Sequence, residues 1–106
     1  MRITQAQYNR FEKQIILKKI GILGQKKFLS AKVLVIGLGG LGCPLVTYLA
    51  ASGVGTIGII DFDKVEISNL NRQTLFDIND IGKFKVKQVE KKLKKTNNKI
   101  NILTFN

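Results

Sequence analysis

The sequence predicts an α/β fold, and three observations in the middle of the chain lead to this prediction. A short apolar run at 33–36 is followed by glycines with the spacing G-x-G-x-x-G. A helix-like stretch at 41–52 comes next, and a second apolar strand then ends in an acid, Asp61. A strand, a glycine turn, a helix and a second strand in this order begin a doubly wound fold. We therefore predict a Rossmann-like parallel sheet, half of such a fold.

The N-terminal part of the chain is predicted to form two helices that precede this sheet. Thr4 and Gln7 have the spacing of a capping box, in which each side chain satisfies a backbone N–H of the other residue. Apolar residues then recur on one helical face. Gly21 and Gly24 are expected to break the pattern before a short helix at 25–30.

The glycine turn is predicted to lie between a buried strand and a helix N-terminus. The run at 33–36 is entirely apolar, so we expect a strand buried on both faces of the sheet. Gly37 would permit a tight turn, Gly39 would let the backbone approach a phosphate, and Gly42 would let helix and strand pack closely. The first N–H groups of the helix at 41–52 lack intrahelical partners, and with the helix dipole they favour an anion.

The last third of the chain is predicted to contain a helix at 83–96 and a third strand at 99–105. The apolar stripe of the helix consists of Val86, Val89 and Leu93. Together with the first two strands, this predicts the sheet order 3-2-1, with the first strand at one edge.

Lysines dominate this last helix, and they fall into two groups. Lys83 and Lys85 lie at its N-terminus, where a cation is mildly unfavourable by the dipole alone, so an anion nearby would suit them. The other lysines are predicted to form a solvated face, and they are Lys87, Lys91, Lys92, Lys94 and Lys95.

Composition limits the class of protein. The chain has 106 residues and 44% apolar content, enough for one domain with a core, and its net charge is +11. Because the lysines are spread along helices without interleaved aromatic residues, we predict neither a nucleic acid nor a membrane as partner.

No signal peptide or membrane-spanning apolar run is evident, which predicts a cytoplasmic protein. A single cysteine, Cys43, and no histidine exclude a disulfide framework and predict no metal ligands; Cys43 is predicted to be a packing residue.

Polar residues after the second strand indicate which nucleotide is bound. Asp61 would accept hydrogen bonds from ribose hydroxyls, whether in NAD or in ATP. The stretch 68–75 then adds an arginine and three side-chain amides, and Asp63 adds a second acid. A dehydrogenase has no need of such a cluster, whereas group transfer at phosphate must neutralise and orient several anionic oxygens.

Three strings of sequence carry a resemblance to a known family. The stretches 37–44, 51–55 and 61–73 resemble the adenylating enzymes that activate ubiquitin-like proteins. The chain is most similar to the bacterial members that act on sulfur carriers, molybdopterin-synthase adenylyltransferase and the thiamine sulfur-carrier adenylyltransferase. The resemblance runs from about Tyr8 to the end of the chain. It implies ATP-dependent adenylylation of the C-terminal carboxylate of a ubiquitin-like sulfur-carrier protein, with ATP and Mg²⁺ as cofactors.

The resemblance also implies roles for individual residues. Arg72 and Lys85 would be the cations that act on phosphate. Lys13 stands where the family has an arginine that reaches the partner subunit's active site; it keeps the charge but not the planar donor geometry. The residues implied to bind the nucleotide are Gly37, Gly39, Gly40, Gly42, Asp61, Asn69, Asn71, Arg72, Gln73 and Lys85.

The family members are longer than this chain, which predicts a truncated or split enzyme. The magnesium-binding aspartate, the zinc-binding cysteine pairs and the carrier groove would belong to the absent half. We accordingly predict an N-terminal helical segment, 1–31, a partial ATP-binding domain, 32–106, and assembly as a homodimer or with a complementary fragment. Two alternatives stay open: an NAD-dependent oxidoreductase fragment, and a non-catalytic remnant that acts as a binding module.

Overall fold

The computed structural model describes residues 2–106 of the chain. This part of the chain contains four α-helices and three β-strands. Their order is α1 (Gln5–Ile15), α2 (Gly21–Ser30), β1 (Lys32–Ile36), α3 (Gly42–Ser52), β2 (Thr56–Ile60), α4 (Lys85–Thr96) and β3 (Asn101–Phe105). Two short 3₁₀ turns, Ile67–Asn69 and Ile78–Asp80, lie between β2 and α4. The predicted α/β class is confirmed.

Helix α1 begins with the predicted capping box. Thr4 Oγ1 accepts a hydrogen bond from Gln7 N at 3.1 Å, and Gln7 Oε1 accepts one from Thr4 N at 2.8 Å. Phe11 and Ile15 are buried on one face of the helix. The local pattern in the sequence was therefore sufficient to locate this helix.

The prediction for the second helix was wrong at its start. Helix α2 begins at Gly21 and runs through Gly24, which the sequence suggested would interrupt it. Gly21 has a φ of +60°, so the chain turns there directly into the new helix. A side chain at Gly24 would meet the Ile20 side chain at 3.0 Å, so this glycine gives that side chain room.

Two side-chain amides and one backbone carbonyl hold α1 and α2 against the end of α3. Gln14 Nε2 donates to Gln25 Oε1 at 2.7 Å and to Ser52 O at 3.0 Å. Gln25, fully buried, also donates to Ser52 O at 3.1 Å. Because buried amides must find partners, this network fixes the position of the N-terminal helices.

The three strands form one parallel sheet in the order β1-β2-β3. Val35 pairs with Ile59, and Ile57 pairs with Ile102, in a continuous register. The predicted order is confirmed, and β1 lies at an edge of the sheet.

One face of the sheet carries the core. Val35, Ile57, Ile59 and Ile102 are buried against α3 and α4. The predicted stripe of α4 is confirmed, since its three apolar residues are buried in the same cluster. Helix α4 begins at Lys85, two residues later than predicted.

The prediction that β1 is buried on both faces was wrong. Leu34 and Ile36 are 54% and 77% exposed, and Leu103 and Phe105 on β3 are also exposed. The two crossovers β1-α3-β2 and β2-α4-β3 lead in the same direction across the sheet. Because such crossovers are right-handed, both helices lie on the same face. We call the opposite side, with Leu34, Ile36, Leu103 and Phe105, the outer face.

Within residues 2–106, none of the helices combines the length and the apolar character needed to cross a lipid bilayer.

Candidate functional site

The glycine turn is tightly fixed between β1 and α3. Gly37 has a φ of +93°, and its N–H donates to Ile60 O at 2.8 Å. A Cβ on Gly42 would lie 1.9 Å from Gly37 O, so position 42 accepts no side chain. The roles predicted for these two glycines, a tight turn and close packing, agree with the structure.

Gly39 and Gly40 leave the backbone of this turn open. No heavy atom lies within 4 Å of a Cβ built on Gly39, in the described part of the chain. A Cβ on Gly40 would lie 3.8 Å from Cγ and Cδ of Arg72. The aliphatic part of Arg72 is therefore next to the turn, as expected for a cation that shares an anion with its N–H groups.

Asp61 follows β2 directly and is bound to the glycine turn. Its Oδ2 accepts a hydrogen bond from Leu38 N at 2.8 Å, and its Oδ1 accepts one from Asp63 N at 2.8 Å. Each carboxylate oxygen has a second lone pair for another donor. The sequence predicts a role for Asp61 toward ribose, and the structure adds a role in holding the turn.

The polar cluster after β2 is organised by its own hydrogen bonds. Asn69 Oδ1 accepts from Glu66 N at 2.8 Å, which stabilises the 3₁₀ turn. Arg72 Nη1 donates to Ser68 O at 3.2 Å and to Asn71 Oδ1 at 3.1 Å. Asn69 and Asn71 thus hold the segment and the guanidinium in place.

Gln73 provides a buried acceptor without a partner. The residue is 2% exposed, and its Oε1 makes no hydrogen bond with any residue of the described chain. Buried side-chain oxygens are rarely left unsatisfied, because this costs free energy. A bound donor group, from water or from a ligand, would complete this position.

Lys85 is a largely buried residue whose ammonium pairs with no anion in the described part of the chain. The residue is 5% exposed, and within residues 2–106 its Nζ makes neither a hydrogen bond nor a salt bridge. Lys85 N donates to Asp63 O at 3.0 Å, and Asp61, two residues earlier, is bound to the glycine turn, so Lys85 lies near that turn. Its Nζ still reaches solvent, because the buried side-chain polar atom without a partner in the described chain is Gln73 Oε1, so the ammonium is accessible to an anion.

Cys43 is a packing residue, in agreement with the prediction. It is buried, and its Sγ donates to Leu38 O at 3.3 Å. Burial raises the pKa of the Cys43 thiol to about 11, although the charge of Lys85 acts in the opposite direction. The thiol therefore stays protonated and is a poor nucleophile.

Lys13 is not near the other predicted cations. It is exposed on α1, and its neighbour Gln14 contacts Ser52 O at the C-terminal end of α3. The glycine turn lies at the N-terminal end of α3, about 16 Å away at 1.5 Å per residue. Any role of Lys13 at a nucleotide site would thus be at a second copy of the chain, as the resemblance implies.

The prediction of a fully solvated lysine face on α4 was wrong for Lys92. Its Nζ donates to Asp80 Oδ2 and to Leu75 O, both at 2.5 Å, and its side chain is only partly exposed. Burial alone would raise the pKa of Asp80, but the hydrogen bonds from Lys92 and from Asp77 N hold that pKa below its ordinary value. Nothing in the sequence pattern indicated this contact, because it depends on how residues 72–84 fold back on α4.

No cluster of three or more histidine, cysteine, aspartate or glutamate side chains that could hold a metal ion occurs in residues 2–106. Asp61, the acid bound to the glycine turn, accepts hydrogen bonds from the backbone N–H groups of Leu38 and Asp63.

The fold and the glycine turn define a Rossmann-like α/β domain, and comparison with known proteins identifies its family. The model of the ThiF family matches residues 11–106. The chain therefore belongs to the ThiF family, and the predicted resemblance is confirmed at this level.

Two curated relatives have similar sequences. The chain is 52% identical over 95 residues to the adenylyltransferase and sulfurtransferase uba4 of Aspergillus niger, covering 90% of this chain and 20% of the relative. It is 46% identical over 103 residues to the adenylyltransferase and sulfurtransferase MOCS3 of Xenopus laevis, covering 97% of this chain and 23% of the relative. The chain thus spans less than a quarter of the length of either.

Two solved structures have similar folds. The E. coli tRNA N6-threonylcarbamoyladenosine dehydratase TcdA, in complex with ATP, superposes with a TM-score of 0.91 at 28% identity, over 99% of this chain and 42% of that one. E. coli MccB with ATP superposes with a TM-score of 0.75 at 41% identity, over 76% of this chain and 24% of that one.

Proposed function

We propose that this chain binds ATP and supplies phosphate-binding residues for adenylylation of the C-terminal carboxylate of a ubiquitin-like sulfur-carrier protein. The observation that carries the proposal is Lys85, whose side chain is largely buried while its ammonium has no anion in the described chain, near a glycine turn on which Arg72 also packs. Two cations beside open backbone N–H groups match the charge of a triphosphate better than that of a dinucleotide.

The other residues of the turn fit a nucleotide as well. Gly39 and Gly40 leave room for phosphate oxygens, and Asp61 retains lone pairs for ribose hydroxyls. The unpaired Oε1 of Gln73 would accept a hydrogen bond from a nucleoside donor. Asn69 and Asn71 would line the same site.

The reaction brings two anions together, which explains the demand for positive charge. A carboxylate oxygen of the carrier attacks the α-phosphorus of ATP, and the bond from that phosphorus to the bridging oxygen of the β-phosphate breaks. The products are an acyl-adenylate and pyrophosphate, which leaves with the electron pair of the broken bond. The contribution of Arg72 and Lys85 is to position the phosphates and to neutralise their charge.

The relatives support the nucleotide and the partner. TcdA and MccB were solved with ATP, and MccB also with MccA. The relatives uba4 and MOCS3 are named adenylyltransferases and sulfurtransferases. A sulfur carrier of molybdopterin or thiamine synthesis, in the cytoplasm, is the partner we propose.

Magnesium would accompany the nucleotide. Residues 2–106 contain no cluster of three or more histidine, cysteine, aspartate or glutamate side chains for it, so the phosphates of the nucleotide would supply most of its ligands. Magnesium is commonly held by one or two carboxylates together with substrate phosphates.

Assembly with another chain completes the proposal. Lys13, exposed on α1, would act at the nucleotide site of a partner copy, or a complementary fragment would supply the remaining groups. The division into a helical segment at 1–31 and an ATP-binding domain at 32–106 belongs to this proposal.

Calorimetric titration of the 106-residue chain tests the choice of nucleotide. ATP with magnesium should bind more tightly than NAD, because a triphosphate carries more negative charge for Arg72 and Lys85 to neutralise. Arg72→Ala should lose about 1.5–3 kcal/mol of ATP affinity, as expected for a charged hydrogen-bond partner. Lys91→Ala, which removes an exposed charge from α4, is the control and should bind like the wild type. NAD binding of equal or higher affinity would contradict the proposal and favour the oxidoreductase alternative.

A further inference from the structure

Two side chains fix the irregular segment that joins Arg72 to Lys85. Lys92, on α4, donates from its Nζ to Leu75 O and to Asp80 Oδ2. The same Asp80 oxygen accepts a hydrogen bond from Asp77 N at 2.8 Å. We call Lys92 and Asp80 the loop clamp. Only Gln73 and Thr74 separate Arg72 from Leu75, the first point that the clamp holds.

Helix α4 provides both the clamp and the second cation of the proposed site. Lys85 and Lys92 are seven residues apart, close to two helical turns, so they project on the same side of the helix. The helix is itself anchored, because Lys85 N donates to Asp63 O at 3.0 Å and Val86 is buried in the core. One rigid element therefore determines where Lys85 lies and where the segment after Arg72 lies.

Stability alone is a weak reason for such a pair. Asp80 is buried and Lys92 is largely so, and a buried ion pair can often be replaced by apolar residues without loss of stability. The surroundings would accept such a replacement, since the Phe76 ring already lies 5.9 Å from Lys92 Nζ. What an apolar pair would lose is the directional contact to Leu75 O and to the turn at Asp77.

We propose that Lys92 and Asp80 are positioning residues, which set the location of Arg72 and Gln73 relative to Lys85 and thereby tune affinity for the phosphates of the nucleotide. This inference rests on the proposed ATP binding. It predicts an effect on ATP that exceeds the effect on AMP, because the additional phosphates of ATP depend most on the two cations.

The test compares ATP and AMP affinities of four variants by calorimetry. Lys92→Met and Asp80→Leu remove the donor and the acceptor of the clamp while keeping the approximate size of each side chain. Lys92→Arg restores a donor to both acceptors. Lys94→Met removes a lysine of the same helix that pairs with Glu90 on the exposed surface, and it serves as the control.

Loss of the clamp should weaken ATP binding by about tenfold or more, because Arg72 and Gln73 would no longer be held in the position that binds the phosphates. AMP affinity should fall less, so the ratio of the two affinities should drop. Lys92→Arg should recover part of the ratio, and Lys94→Met should leave it unchanged. A purely structural role would lower both affinities equally, through the folded fraction, and an unchanged ratio in folded variants would overturn the inference.

The two levels of the proposal fail in different ways. A wild-type chain that does not bind ATP contradicts the proposed function itself. A wild-type chain that binds ATP, with clamp variants of unchanged ratio, contradicts only the positioning role. If the variants do not fold, hydrogen exchange of the wild-type chain tests the positioning role instead. ATP should slow amide exchange at Asp77 and Lys83, and unchanged exchange at these two amides would overturn the inference.

Discussion

Gly42 is the residue whose identity the fold constrains most. Any side chain there would place its Cβ 1.9 Å from Gly37 O, which belongs to the turn that positions the open N–H groups. The same turn is held from the other side by Asp61 Oδ2. The conformation of the proposed phosphate site is therefore built into the folded chain and does not require a ligand.

Cys43 gives this region a measurable pH dependence. Burial raises the pKa of its thiol from 9.0 to about 11. A group whose pKa is raised by folding contributes its full stabilisation when the pH is below its pKa in the unfolded state. That stabilisation is lost as the pH rises through its pKa in the folded state. We therefore expect Cys43 to cost stability between about pH 9 and pH 11, at about 1.4 kcal/mol per pH unit.

Urea unfolding of the wild type and of Cys43→Ala at pH 8.5 and pH 10.5 measures this effect. The wild type should lose about 2 kcal/mol more than the variant between the two values. Other groups that titrate in this range are common to both proteins and cancel in the comparison. Equal losses would show that the thiol is exposed to solvent or ionises normally.

Residues that act locally could be predicted from the sequence, and those that act over distance could not. The roles of Gly37 and Gly42 follow from the spacing of the glycines and the elements beside them. The contact of Lys92 with Asp80 depends on how residues 72–84 fold back on α4, which no periodicity encodes. The unpaired oxygen of Gln73 likewise depends on burial that arises only from tertiary packing.

At the level of elements, the two faces of the sheet differ sharply. The order of strands and helices predicted from sequence is correct, because each element has a clear pattern. The prediction that β1 is buried on both faces was wrong, because an apolar run shows that a strand prefers burial but does not show which element covers each face. Handedness of the crossovers places α3 and α4 on one side and leaves the outer face apolar.

A matched pair of substitutions tests this asymmetry. Ile59→Ala lies on the core face and should cost about 2–5 kcal/mol of the free energy of unfolding. Ile36→Ala lies on the outer face of the neighbouring strand and should cost about 0.5 kcal/mol or less. Chemical denaturation of both variants measures the difference.

Self-association provides a second readout for the same pair. Since the outer face is apolar and β1 is an open edge, we expect the chain to associate, and Ile36→Ala should shift sedimentation toward the monomer. A large stability cost at Ile36 in a monomeric chain would mean that another part of the molecule covers the outer face.

On the scale of the whole molecule, the site, the core and the N-terminal helices form one connected structure. The Gln14 and Gln25 amides join α1 and α2 to α3, whose other end carries the glycine turn. The chain has a net charge of +11, which attracts anionic ligands in general. Nucleotide binding at the turn must therefore be distinguished from nonspecific attraction to lysines.

Titration of the isotopically labelled chain with ATP and magnesium, followed by amide NMR, makes this distinction most directly. We propose that the phosphates lie on the glycine turn between Arg72 and Lys85. Backbone amides at 38–42 and 72–73, with the side-chain amide of Gln73, should shift in a saturable way, and Lys85→Met should weaken the response strongly. Shifts spread over the exposed lysines of α4, with residues 38–42 unchanged, would contradict the claim.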